Sequence, residues 1–134
     1  TSNYMFDILR AVITDTKYTG PRVSIEGYDI GGKTGTAELI DEFGKYDKNS
    51  NRTLFVGAFP MQNPRFLVLT IIDNPKKIKE ENYSTTGATV NAPLVKNIIL
   101  RMIEIMNIPR ILNNNILNIA TSINYNKKNA INWN

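Results

Sequence analysis

Apolar residues recur along residues 4–15 at helical spacing. Tyr4, Met5, Ile8, Leu9, Val12 and Ile13 fall on one side, with Asp7, Arg10 and Asp15 on the other. Ser2 or Asn3 is placed to cap this helix. A helix that opens so near the first residue, with no strand before it, suggests a piece cut from something longer. Residues 16–22 break the pattern, with Gly20-Pro21 as the stop, and residues 23–26 read as a brief strand before Gly27. Small and β-branched side chains without caps favour a strand over residues 33–40. Residues 41–51, rich in Gly, Lys and Asn, read as a solvated connector.

Two short, nearly continuous apolar runs follow, at residues 54–59 and 66–72, both of strand type. Pro60-Met61-Gln62-Asn63-Pro64 joins them, a link too short for anything except a hairpin. Residues 76–89 form a charged, Gly-containing loop. Asn91 then caps a long helix that carries Pro93 in its first turn, where proline is tolerated. Leu94, Val95, Ile98, Ile99, Met102, Ile103 and Met106 give it a wide apolar stripe, so this helix covers a sheet, and Pro109 ends it. The pattern predicts an α+β fold. An antiparallel meander runs through 33–40, 52–59 and 65–73, with both helices packed on one face. Residues 113–134 are expected to form a poorly ordered Asn-rich tail beyond a folded unit at 1–112.

Composition narrows the chemistry. The chain has 134 residues, 42% of them hydrophobic, enough for one domain or part of a larger one. No run reaches the roughly 18 apolar residues of a membrane span, and the opening residues do not read as a signal peptide. The net charge of +4 comes from scattered basic residues interleaved with Asp and Glu, which argues for a solvated basic surface and against nucleic acid as a partner. Cysteine and histidine are both absent, which removes thiol nucleophiles, disulfides, nearly every zinc site and histidine acid–base catalysis. Any catalysis must use Ser, Thr, Lys, Tyr or carboxylates, and no cofactor is expected.

The stretch suited to gripping an anion is Gly31-Gly32-Lys33-Thr34-Gly35-Thr36-Ala37-Glu38. Glycines admit a close ligand, lysine supplies a point charge and threonine hydroxyls orient it. Residues 27–34 formally satisfy the phosphate-loop pattern G-x-x-x-x-G-K-[ST]. Lys33 would then meet phosphate and Thr34 magnesium, and the strand ending at Asp73 resembles the acid-bearing strand of such enzymes. The hairpin at 54–72 argues against this reading, because phosphate-loop domains set those strands parallel through long crossovers. Gly35 also interrupts the helix that should follow Thr34.

Lys33-Thr34-Gly35-Thr36 also matches the K-T-G box of penicillin-binding serine acyl-transferases. The surroundings strengthen the match: Phe55-Val56-Gly57-Ala58-Phe59-Pro60, Asn63-Pro64-Arg65-Phe66, Ile72-Asp73-Asn74-Pro75, Gly87 and Asn91-Ala92-Pro93-Leu94-Val95, then Met106-Asn107-Ile108. Over roughly residues 4–110 the chain resembles class B penicillin-binding proteins, closer to the septal, cell-division branch than to the elongation branch. The fold this implies is the C-terminal portion of their transpeptidase domain.

The resemblance implies a serine that attacks the D-Ala-D-Ala end of a peptidoglycan stem peptide and passes the acyl group to a neighbouring stem. Lys33 would polarise the serine of an S-x-N motif and attract the substrate carboxylate. Thr34 and Thr36 would orient that carboxylate, Gly35 would keep the wall clear, and the Thr36 N–H would form half an oxyanion hole. Implied partners are the stem peptide, β-lactams, division-complex proteins and the remaining N-terminal part of the domain. A membrane-anchored periplasmic location is implied in the same way. One departure is decisive for chemistry. The position three residues after Ser2, Ser24, Ser50, Ser84 and Ser122 holds Met, Gly, Thr, Gly and Tyr, so no S-x-x-K nucleophile is present. Ser122-Ile123-Asn124 spells S-x-N but falls in the tail, after K-T-G instead of before it.

Overall fold

The computed structural model describes residues 2–14, 17, 19–76 and 85–111. The expected tail and most of the expected 76–89 loop therefore lie outside the described residues. Helices α1 (Ser2–Thr14) and α2 (Gly20–Val23) precede three strands, β1 (Gly31–Ile40), β2 (Tyr46–Phe59) and β3 (Phe66–Asp73). A π-helical turn (Gly87–Asn91) then runs directly into α3 (Ala92–Met106). The strands form one antiparallel sheet in the order β1-β2-β3. The α+β meander expected from the pattern is the fold observed.

Register explains which side of the sheet is covered. Thr34 lies opposite Phe55, which lies opposite Thr70; one step along, Lys33 lies opposite Val56 and Val56 opposite Leu69. Directly opposed residues share a face, so the alternation of β2 sorts the whole sheet. Phe55, Phe59 and Val68 form the core with Ala92, Val95 and Ile99 of α3, and Ile13, Val23 and Ile30 complete it. On the other face Leu67, Leu69 and Ile71 are 69%, 53% and 54% exposed, an apolar stripe without cover among the described residues.

Four expectations need correction. Residues 23–26 do not form a strand. Proline in the first turn of α2 carries its preset φ into a helix, and the only pairing nearby is the isolated bridge Ile25↔Tyr28 around Gly27, at φ 81°. The polar 41–51 stretch is no free connector, because β2 starts at Tyr46 and pairs with the end of β1. Asp41 closes that turn: its Oδ1 accepts from the N–H groups of Phe43 and Lys45 at 2.9 and 2.8 Å, and Gly44 takes φ 77°. A register shift between Glu38 and Leu39 absorbs the extra residues of β2.

The third correction concerns α1, whose apolar stripe divides. Ile13 is buried, whereas Tyr4, Met5 and Ile8 are exposed. The helix is fastened near its middle, where Arg10 bridges Asp7 and Asp29 at 2.9 Å each. Fourth, Asn91 does not cap α3 through its side chain. The cap lies earlier, at Thr86, and Asn91 is a wholly buried residue whose Nδ2 donates to the carbonyl and hydroxyl oxygens of Thr70.

Candidate active site

The glycine-lysine string occupies β1, an edge strand with no partner strand on its far side among the described residues. Small residues suit this place because the strand is crowded from both faces. A Cβ on Gly31 would lie 2.8 Å from the Met61 side chain, and one on Gly32 would lie 2.6 Å from the Val56 carbonyl oxygen. Met61 is held in turn by its backbone N–H, which donates to the Asp29 carbonyl at 2.9 Å.

Strand alternation separates the candidate residues. Lys33 and Gly35 share the face of Val56 and Leu54, while Thr34 and Thr36 share the face of Phe55 and Thr53. Lys33 is exposed, and its Nζ donates to the Thr34 carbonyl at 2.8 Å. Gly35 stands over Leu54, whose Cγ would lie 2.9 Å from an added Cβ. Thr36 is exposed, and its Oγ1 accepts a hydrogen bond from the Gly87 N–H at 3.2 Å. A ligand that meets both Lys33 and the threonines must therefore lie along the strand's open edge, the one place common to both faces.

The geometry of a phosphate loop is missing. Residues 31–34 are already extended and paired with β2, and no helix starts at Thr34. Asp73, the acid that reading would give to magnesium, is gripped bidentately by Arg52 at 2.6 and 2.7 Å. These hydrogen bonds hold the Asp73 carboxyl below its ordinary range. Asp29 moves the other way: burial raises its pKa despite the Arg10 guanidinium beside it. Among the described residues no group of three acidic side chains is placed to hold a metal ion. Neither Ser24 nor Ser50 is hydrogen-bonded to Lys33.

Residue pattern did not reveal what stands behind Thr36. Thr86 and Thr89 cap each other reciprocally: the Thr86 N–H donates to Thr89 Oγ1 at 2.9 Å, and the Thr89 N–H to Thr86 Oγ1 at 3.4 Å. The usual signature has Glu or Gln in the second place, so Thr-x-x-Thr gave only a faint signal.

The fold is thus an antiparallel meander faced by helices, with K-T-G-T on its outer strand. The chain belongs to the penicillin-binding protein transpeptidase domain family, whose model matches residues 1–100. A peptidoglycan D,D-transpeptidase FtsI homolog of Chlorokybus atmophyticus is 38% identical over 106 residues, covering 78% of this chain and 14% of that protein. Stage V sporulation protein D of Bacillus subtilis is 41% identical over 80 residues, covering 60% of the chain and 12% of its own length. Among solved structures, penicillin-binding protein 3 of Mycobacterium tuberculosis, complexed with ampicillin, superposes with a TM-score of 0.64 at 30% identity. That match covers 79% of this chain and 24% of the other. The apo transpeptidase domain of Burkholderia pseudomallei penicillin-binding protein 3 gives 0.64 at 29% identity, over 80% and 30% of the two chains. The chain thus spans about 14% of the length of the curated relatives it matches first. No helix among the described residues is long and apolar enough to cross a membrane.

Proposed function

We propose that this chain forms the carboxylate-binding and acyl-acceptor wall of a septal peptidoglycan D,D-transpeptidase, as the C-terminal part of its transpeptidase domain. The observation that carries the reading is K-T-G-T on an open strand edge, with Lys33 and Thr36 both exposed. A D-Ala-D-Ala terminus laid against that edge pairs as an extra strand. Its carboxylate meets the Thr34 and Thr36 hydroxyls in the positive potential of Lys33. Lys33 also lowers the cost of activating a serine supplied by the rest of the domain. β-Lactams carry an equivalent carboxylate and enter by the same contacts. In the whole protein the domain stands on a membrane anchor outside the cytoplasm and works with division proteins.

Because no S-x-x-K serine is present, the chain alone should form no penicillin adduct; a stoichiometric covalent adduct by intact mass would overturn this reading. The positive test is a chimera in which residues 1–111 replace the matching quarter of the M. tuberculosis protein. It should acylate with ampicillin, and Lys33→Ala should abolish acylation while the melting temperature holds. A folded chimera that ignores ampicillin would count against the proposal.

The second reading is a non-catalytic piece that acts by docking to a partner. It is favoured by the apolar side chains left uncovered at Leu67, Leu69 and Ile71, and at Tyr4, Met5 and Ile8. An open reading frame with S-x-x-K upstream of Thr1 supports the first reading, whereas a start codon there supports the second.

A further inference from the structure

We propose that the capped π-helical turn is a positioning device for Thr36, with Gly87 as its contact residue. The inference rests on the reading of β1 as a carboxylate-binding wall. Gly87 follows the cap residue Thr86, so its N–H is among the helix-start donors that lack a partner inside the helix. It donates to Thr36 Oγ1 at 3.2 Å. Among the described residues Thr36 makes no other side-chain hydrogen bond.

A hydroxyl carries one hydrogen and two acceptor lone pairs. With a lone pair engaged from behind by an N–H, the Thr36 hydrogen is left for an acceptor in front. An anionic carboxylate oxygen is the strongest acceptor it can meet. The N–H behind polarises the hydroxyl and makes it a better donor. It also selects the rotamer that presents oxygen, not methyl, to the turn. Thr36 is thereby fixed as a donor toward the ligand.

The turn can do this only because it touches the K-T-G strand backbone to backbone. A Cβ on Gly87 would lie 2.3 Å from the Leu54 carbonyl oxygen and 2.9 Å from that of Gly35. All three strands hold the turn and its approach in place. Asn51 of β2 donates to the Thr85 carbonyl at 2.9 Å, Asn91 reaches Thr70 of β3, and Gly87 meets Thr36 of β1. A carboxylate bound by Thr36 therefore has a direct line to the start of α3.

Amide NMR of the full chain tests this, with Thr36→Val and Thr36→Ser as variants and a diacylated Lys-D-Ala-D-Ala tripeptide as probe. Losing one hydrogen bond should speed exchange of the Gly87 amide about tenfold in Thr36→Val, while Thr36→Ser restores protection. On tripeptide addition the amides of residues 34–36 and of Gly87 should shift together. In Thr36→Val, Gly87 should cease to follow while Thr34 and Gly35 still respond. A Gly87 amide indifferent to Thr36→Val overturns the proposal, and so does a shift of β1 without Gly87. If no β1 amide responds to tripeptide although Gly87 exchange still depends on Thr36, the carboxylate reading itself fails. The turn is then a structural clamp and the positioning role is overturned with that reading.

Discussion

Asn91 and Thr70 join the start of α3 to the middle of β3 inside the core. One Nδ2 serves both the carbonyl oxygen of Thr70, at 3.2 Å, and its hydroxyl, at 3.0 Å. Among the described residues the Asn91 Oδ1 has no partner. The pair contributes net order at the cost of an orphan acceptor, and truncating it exposes both terms. Asn91→Ala should destabilise the chain by about 2 kcal/mol, and Thr70→Val by about 1 kcal/mol. A double-mutant cycle from urea midpoints should show coupling above about 0.5 kcal/mol.

Two glycines should respond differently to a methyl group. A Cβ on Gly20 would sit 2.1 Å from the Ile13 carbonyl oxygen, where backbone must move. Gly44 has open space around it but stands at φ 77°. Gly44→Ala should cost about 1 kcal/mol, the strain of a left-handed alanine alone. Gly20→Ala should cost about 3 kcal/mol and loosen α1 from α2, which hydrogen exchange along residues 8–14 will report.

Asp29 and Asp73 should bend the pH profile of stability in opposite directions. The Asp73 carboxyl is lowered by hydrogen bonds from Arg52, so its contribution is present above the unfolded value of about 3.9 and is lost as pH falls through its folded value. Asp29 is raised by burial, so its stability is present below about 3.9 and is lost as pH rises through its higher folded value. Relative to Asp29→Asn, the wild type should gain stability on acidification through that upper window. Relative to Asp73→Asn, it should lose stability below about pH 4.

The two faces of the sheet should tolerate substitution unequally. Phe55→Ala removes a fully buried ring beneath α3 and should cost about 3–5 kcal/mol. Leu69→Thr, on the uncovered face, should stay within about 0.5 kcal/mol by thermal melt. It should also reduce self-association in sedimentation, because it interrupts the exposed stripe.

Much of this was legible in residue order. The hairpin from Phe59 to Phe66 follows from two apolar runs and a short link holding Pro60 and Pro64, and α3 follows from its stripe and Pro93. The K-T-G box placed Lys33 and Thr36 on one strand. The rest depended on contacts that pattern does not encode. The exposure of Tyr4, Met5 and Ile8 depends on what lies against α1, which helical spacing alone does not say. Asn91 has the composition of a cap and the burial of a core residue. Gly87 reads as loop until Thr36 is seen beneath it.

The register shift between Glu38 and Leu39 has a practical meaning for the first hairpin. Regular pairing from Gly31 to Glu38 is insulated from the tip, where Phe43 is 79% exposed and Asp41 closes the turn locally. Twisting or lengthening the tip is absorbed at the shift before it reaches Lys33. A fluorophore, an affinity tag or a surface tether attached at residue 43 would thus leave the K-T-G strand in its native shape, and makes that position the natural handle for immobilising the chain.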